Sequence, residues 1–129
     1  MERHHARSGS PYEKTIGFSR AVRDGATVAV SGTAPVWPDD HVDPDPGVQA
    51  RRCWEIALGA LTELGGSVEH VVRTRQYVVR ADIADVVGAV HGEVFGGVRP
   101  ASTMVVVAGL LDPRWLVEVE LDAVVPDAP

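Results

Sequence analysis

Between Leu116 and Val125 apolar and acidic residues alternate strictly: Val117, Val119, Leu121 and Ala123 against Glu118, Glu120 and Asp122. A period of two places one set on each face of a β-strand, so this stretch predicts a strand with a buried face and an acidic face. A strand of this kind needs sheet neighbours and a cover, and the rest of the chain is read for both.

Phe18–Val22 and Ala26–Val30 are short β-like runs flanking Arg23, Asp24 and Gly25, and Asp-Gly is a hairpin signal. Ser31, Gly32 and Thr33 are expected to end the second run. Pro35 to Gly47 holds four prolines and four aspartates and is expected to be an exposed loop. Asp45 followed by Pro46 is a cap and first-turn pair. Trp54, Ala57 or Leu58, Leu61 and Leu64 then form the stripe of a helix lying on a sheet, stopped by Gly65 and Gly66. The valine-rich run Val68–Val79 predicts a long strand with Val71, Arg73, Arg75, Tyr77 and Val79 on one face. Asp82 is expected to cap a second helix, with Asp85 at its third position and Ile83, Val86, Val90 and Val94 as its stripe. Gly96, Gly97 and Pro100 break the chain, and Thr103–Val107 is the next strand, a turn at Asp112, Pro113 and Arg114 leading into the last.

The expected order is ββαβαββ, an α+β domain with a mixed or mainly antiparallel sheet and two helices on one face. Residues 1–14 are expected to be a flexible arm and 15–126 a single domain; the whole chain has 129 residues, a one-domain length. Two helices cover one sheet face only. The valine-rich strands imply that the other is covered too, and a second copy of the chain is the expected cover.

Charge narrows the function classes. Twelve Lys and Arg against 18 Asp and Glu give a net charge of -6, with basic residues scattered among acidic ones, so neither nucleic acid nor an anionic membrane is an expected partner. Cys53 is alone, which excludes an intramolecular disulfide; no signal peptide or membrane span is read, and a cytoplasmic location is expected. His4, His5, His41, His70 and His91 lack zinc-site spacing, and Gly96-Gly97 lacks a dinucleotide-binding pattern, so no metal or cofactor is expected. Cys53, inside the first helix beside Trp54, reads as a small buried hydrophobe.

Three stretches resemble the Rid/YjgF family. Phe18-Ser19-Arg20-Ala21-Val22 with Val30-Ser31-Gly32-Thr33-Ala34-Pro35, and Gln49 opening the first helix, look like its N-terminal half. Val72-Arg73-Thr74-Arg75-Gln76-Tyr77-Val78 is similar to its central strand. Phe95 to Val105, then Leu110, Pro113 and Val117-Glu118-Val119-Glu120, resemble its signature region and closing strand. The resemblance implies a chorismate-mutase-like fold, a homotrimer whose sheets enclose a barrel, and small-molecule clefts between subunits. Its best-known activity is hydrolysis of 2-imino or enamine acids to 2-keto acids and ammonia, without metal or cofactor. The arginine that grips the substrate carboxylate in that branch follows Pro-Ala, where this chain has Ser102, and its early tyrosine corresponds to Phe18. Serine cannot replace a cationic fork, so a non-standard substrate is expected.

By the same resemblance Glu118 matches the carboxylate that positions water, and Ser31 and Gly32 the cleft floor. Glu118 reads equally as one of a row of acids on a solvated or inter-subunit face, and Ser31-Gly32 as a plain turn. Arg99 is either a displaced cation for the ligand or a surface arginine; Arg73 and Arg75 are candidates to answer Glu118 or Glu120. Ser102 and Thr103 are hydrogen-bond donors to a ligand or ordinary strand residues. The function read from the sequence is a Rid-like hydrolase or binder of a small metabolite, the alternative being a non-catalytic ligand sensor or structural partner. Ribonuclease activity, also described in the family, finds little support in the acidic balance.

Overall fold

The alternating C-terminal stretch is the strand around which the sheet is built. In the computed structural model, which describes residues 2–126, it forms Val117–Val124 and lies hydrogen-bonded between two other strands. The elements in chain order are β1 (Arg3–Ala6), β2 (Ala21–Asp24), β3 (Thr27–Thr33), α1 (Pro46–Glu63), β4 (Val71–Val78), α2 (Ala84–Phe95), β5 (Ala101–Val106) and β6 (Val117–Val124). The six-stranded sheet runs β1-β2-β3-β6-β4-β5, antiparallel except for the parallel β4–β5 pair. The fold is α+β, with a mixed sheet and two helices.

Val117, Val119, Leu121 and Ala123 are buried while Glu118, Glu120 and Asp122 are half-buried on the opposite face, as the period of two requires. α1 lies over the buried side of β3 and β6, with Cys53, Trp54, Ala57 and Leu61 excluded from water. Asp45 caps it: Oδ1 accepts from the N–H groups of Gly47 (2.8 Å) and Val48 (3.0 Å). Gly65, at φ +91, takes the left-handed turn that ends it, and Arg23 Nη1 donates to the last-turn carbonyl of Leu64 (2.8 Å).

The structure corrects several expectations. Residues 1–14 are not a loose arm throughout: Arg3–Ala6 pairs with β2, and Ala6 is fully buried. Only one of its four residues faces inward, the mark of an edge strand that leaves too little apolar pattern to read. The first hairpin turns at Gly25 (φ +64) and Ala26, with Arg23 and Asp24 inside β2, so Phe18–Arg20 precede the strand, and Ser31–Thr33 continue β3 rather than ending it.

Val68–His70 is a 3₁₀ turn, and β4 carries a bulge: Val71 pairs with Ala123 but Arg73 with Asp122. One extra residue reverses the facing, so buried Val71 lies on the helix side while Arg73, Arg75 and Tyr77 lie on the other. Asp82 caps nothing. It pairs with Arg80 (2.9 Å) in the 3₁₀ turn Ala81–Ile83, and α2 starts at Ala84. The buried side of α2 is formed by Ile83, Val87, Val90 and Phe95; Val86 is exposed. Phe95 meets Trp54 edge to face at 4.8 Å, an aromatic anchor that rotates the helix away from the valine stripe.

Candidate functional site

The site is built at the second irregularity of the sheet. Val30 pairs with Leu121 and Thr33 with Val119, so β3 spends three steps where β6 spends two, and Ser31-Gly32 form a bulge opposite Glu120. Ser31 fixes the bulge: its N–H and its hydroxyl both donate to the Arg20 carbonyl, each at 3.0 Å. Neither donor is therefore open to an oxyanion. Gly32 has a different role. A Cβ there would collide with Glu118 Oε2, so the absence of a side chain is what lets the carboxylate lie against the strand.

Glu118 stands where two cavities meet. One, of ≈ 570 Å³, is walled by Phe18, Arg20, Val36 and Trp115 together with Gly32 and Glu118. The other, of ≈ 470 Å³, has Tyr77, Leu110 and Glu120 with the same Gly32 and Glu118. Burial raises the Glu118 carboxyl above its ordinary range; the Arg20 charge opposes this and Glu120 adds to it. No hydrogen bond holds the carboxylate among the described residues.

Arg20 is the cation that sequence reasoning missed. It lies inside the segment Phe18–Val22 that resembles the family, whereas Arg99, Arg73 and Arg75 are the cations the sequence reading singles out. Its Nη1 donates to Gly32 O (3.2 Å) and Thr33 Oγ1 (2.9 Å), which pins the guanidinium beside the bulge. Arg75 does answer the acidic row, but at Asp122 (3.3 Å) and Glu120 (3.7 Å), and Glu120 also accepts from the Tyr77 hydroxyl. Glu118 is thereby the one acid of that row set apart from Arg75 among the described residues.

Ser102 and Arg99 lie elsewhere in the protomer. Ser102 pairs with Thr74, whereas Glu118 pairs with Tyr77, so the two are separated by three residues along β4, roughly 10 Å, and by the width of that strand's pairings. The Ser102 hydroxyl accepts from Thr74 Oγ1 (2.8 Å) and lies 3.4 Å from His91 Nε2, which is 2.8 Å from Thr74 Oγ1. Thr103 is exposed on the edge strand β5. Arg99 is exposed in a left-handed turn (φ +56), its N–H donating to Phe95 O (2.8 Å). Phe18, Gly32 and Glu118 are thus brought together, with Ser31 behind them, and Ser102 and Arg99 are not.

The remaining candidates are structural. Cys53 Sγ, fully buried, lies 3.7 Å from Val117 O, and burial pushes its thiol pKa far up. Among the described residues no three His, Cys, Asp or Glu side chains gather as a metal site requires, and no helix is long and apolar enough to cross a membrane.

His91 carries a pH prediction. It packs against Trp54 and Phe95, and burial lowers its pKa below the ordinary 6.5. As pH falls below 6.5 the unfolded chain binds the proton first, so stability declines until the depressed folded value is reached and is level below it. Urea midpoints at pH 7.5 and 5.5 should show this decline in the parent and a shallower one in His91→Gln. Equal declines would remove His91 as the cause.

Comparison with known proteins places this geometry. The family model described as "Endoribonuclease L-PSP" matches residues 10–125. Uncharacterized protein SCO2049 of Streptomyces coelicolor is 41% identical over 117 residues, covering 90% of this chain and 87% of that protein. The crystal structure of Rv2704 from Mycobacterium tuberculosis, a member of the YjgF/YER057c/UK114 family, is 40% identical with a TM-score of 0.88, covering 96% of this chain and all of that one (100%). The YjgF gene product of E. coli has a TM-score of 0.80 at 25% identity, covering 93% of each chain. With the family model spanning nearly the whole chain and the sheet, helices and closing strand superposing on those of Rv2704, the chain belongs to the Rid/YjgF family.

Proposed function

We propose that the protein is a Rid-type hydrolase of a small imine-bearing metabolite other than the standard substrate, working as a homotrimer with its ligand clefts at subunit boundaries. The observation that carries this reading is the Glu118 carboxylate, seated on Gly32 where two cavities meet and beside a cation it does not touch. A carboxylate whose pKa burial raises, free of hydrogen bonds, is suited to take and return a proton. Glu118 takes a proton from water as the water oxygen bonds to the C=N carbon. It returns that proton to nitrogen, giving a carbinolamine; Glu118 then carries the hydroxyl proton to the same nitrogen as the C=O forms and the C–N bond breaks, so that a carbonyl compound and ammonia leave. No metal or cofactor enters these steps.

The half-buried acidic and aromatic face of β4 and β6 is the face that trimer formation would cover, and Ser102 can reach a cleft containing Glu118 only across a subunit boundary. The nuclease named in the family model is not the activity we assign. A net charge of -6 and a cavity walled by Phe18, Val36 and Trp115 suit a small metabolite better than a polyanion.

The test follows the loss of freshly generated imines, 2-iminopropanoate and the imine of phenylalanine, with the purified protein. Faster hydrolysis of the phenylalanine-derived imine than of 2-iminopropanoate, saturating with substrate, is the expected result. Saturable binding in the cleft with no acceleration of any imine would replace the enzymatic reading by a ligand-sensing one.

A further inference from the structure

Resting on the reading of this cleft as the ligand site, we infer that Arg20 is its anion-recognising residue, and that the cleft takes a small monoanion, of carboxylate type, attached to a bulky apolar body. Arg20 and Glu118 share one cavity and are both half-buried, yet no ion pair joins them: each N···O separation exceeds the 4.0 Å of a salt bridge. Opposite charges so placed collapse onto each other unless something holds them apart. Here the bulge does so, since Nη1 of Arg20 is spent on Gly32 O and Thr33 Oγ1. The Nε and Nη2 donors have no protein acceptor among the described residues, which leaves a cationic fork with unused capacity facing the cavity. Asp112, the other acid on the wall, is engaged by Arg114 at 2.8 Å and does not compete.

The apolar half of the inference comes from the rim. Of the eleven exposed large hydrophobic side chains among the described residues, Tyr12, Ile16, Phe18, Val36 and Leu111 all line this one cavity. Leu111 is 98% exposed, which has a cost in water unless an apolar partner covers it. Trp115 belongs to the same wall.

Calorimetric titration of the full-length protein with three probes tests both halves: 3-phenylpropanoate, its neutral amide 3-phenylpropanamide, and propanoate, which lacks the ring. The parent should bind 3-phenylpropanoate at least tenfold more tightly than either of the others. Arg20→Gln should bring the anion down to the level of the amide and leave the amide unchanged, showing that the cleft survives. Arg20→Lys should retain part of the preference, and Arg99→Gln all of it. An Arg20→Gln protein that still prefers the anion overturns the assignment, as does a parent that binds none of the probes. Equal affinity for propanoate overturns the apolar half. Backbone amide shifts separate this failure from that of the function: charge-blind binding that perturbs Gly32 and Glu118 refutes Arg20 alone, whereas perturbations confined elsewhere refute the cleft.

Discussion

Glu118→Gln should reduce imine turnover by about 10²- to 10⁴-fold, the usual contribution of a positioned general acid or base, while the protein melts within a few degrees of the parent. The amide keeps the shape of the carboxylate but cannot take a proton from water. The burial that raises the Glu118 pKa is the same burial that makes the neutral isostere easy to accommodate, so stability should be unchanged or slightly increased. Gly32→Ala provides a steric control. Its Cβ claims the place of Glu118 Oε2, which lies at the end of a flexible side chain, so the carboxylate moves and the strand does not. A similar loss of turnover in both variants, with both folded, assigns the effect to the carboxylate at that one position. Full activity in Glu118→Gln would remove the hydrolytic mechanism.

The pH dependence of the parent follows from the same residue. With a carboxyl pKa above the ordinary range, the acidic limb of turnover should lie above that of a solvent-exposed glutamate, and Arg20→Gln should move it higher by removing the opposing charge.

β6 and α1 were readable because their signals are local: strict alternation in one, and Asp45-Pro46 with an apolar stripe in the other. β1 was not, because an edge strand with one inward residue has no periodicity to detect. The facing of β4 failed at a single bulge, which no propensity announces, and the buried side of α2 was decided by Phe95 finding Trp54 across the core. The site divides in the same way. Glu118, Gly32 and Phe18 came from resemblance, and the fold brings them together. Arg20 depends on a side chain reaching across β3, a tertiary fact. Ser102 reads as a hydrogen-bond donor to a ligand or as an ordinary strand residue, and within the protomer its hydroxyl accepts from Thr74.

Gln49 is the residue by which α1 positions the cavity wall, and Gln49→Ala should produce the largest loss of stability of any variant considered. Its side chain is fully buried in the first turns of α1. Nε2 donates to Asp43 O (2.8 Å) and Arg114 O (3.0 Å), and Oε1 accepts from Leu116 N (2.8 Å). One amide therefore satisfies backbone groups of the loop before α1 and of the loop leading into β6, next to Trp115. Alanine leaves three part-buried backbone groups without this partner and a void where the amide was, a loss of about 3–5 kcal/mol, or roughly 10–20 °C in melting temperature for a chain of this size. Gln49→Leu fills the void but satisfies none of the three, and should recover little. Gln49→Glu distinguishes hydrogen bonding from shape. A carboxylate can accept from Leu116 but faces two carbonyl oxygens, so its folded pKa must rise above the unfolded value, and stability should increase as pH falls through the folded pKa toward the unfolded one. A melting temperature for Gln49→Glu that rises relative to the parent on acidification, against a flat difference between Gln49→Leu and the parent, would show that the cavity wall is held by the amide's donors; a Gln49→Ala protein as stable as the parent would show that it is not.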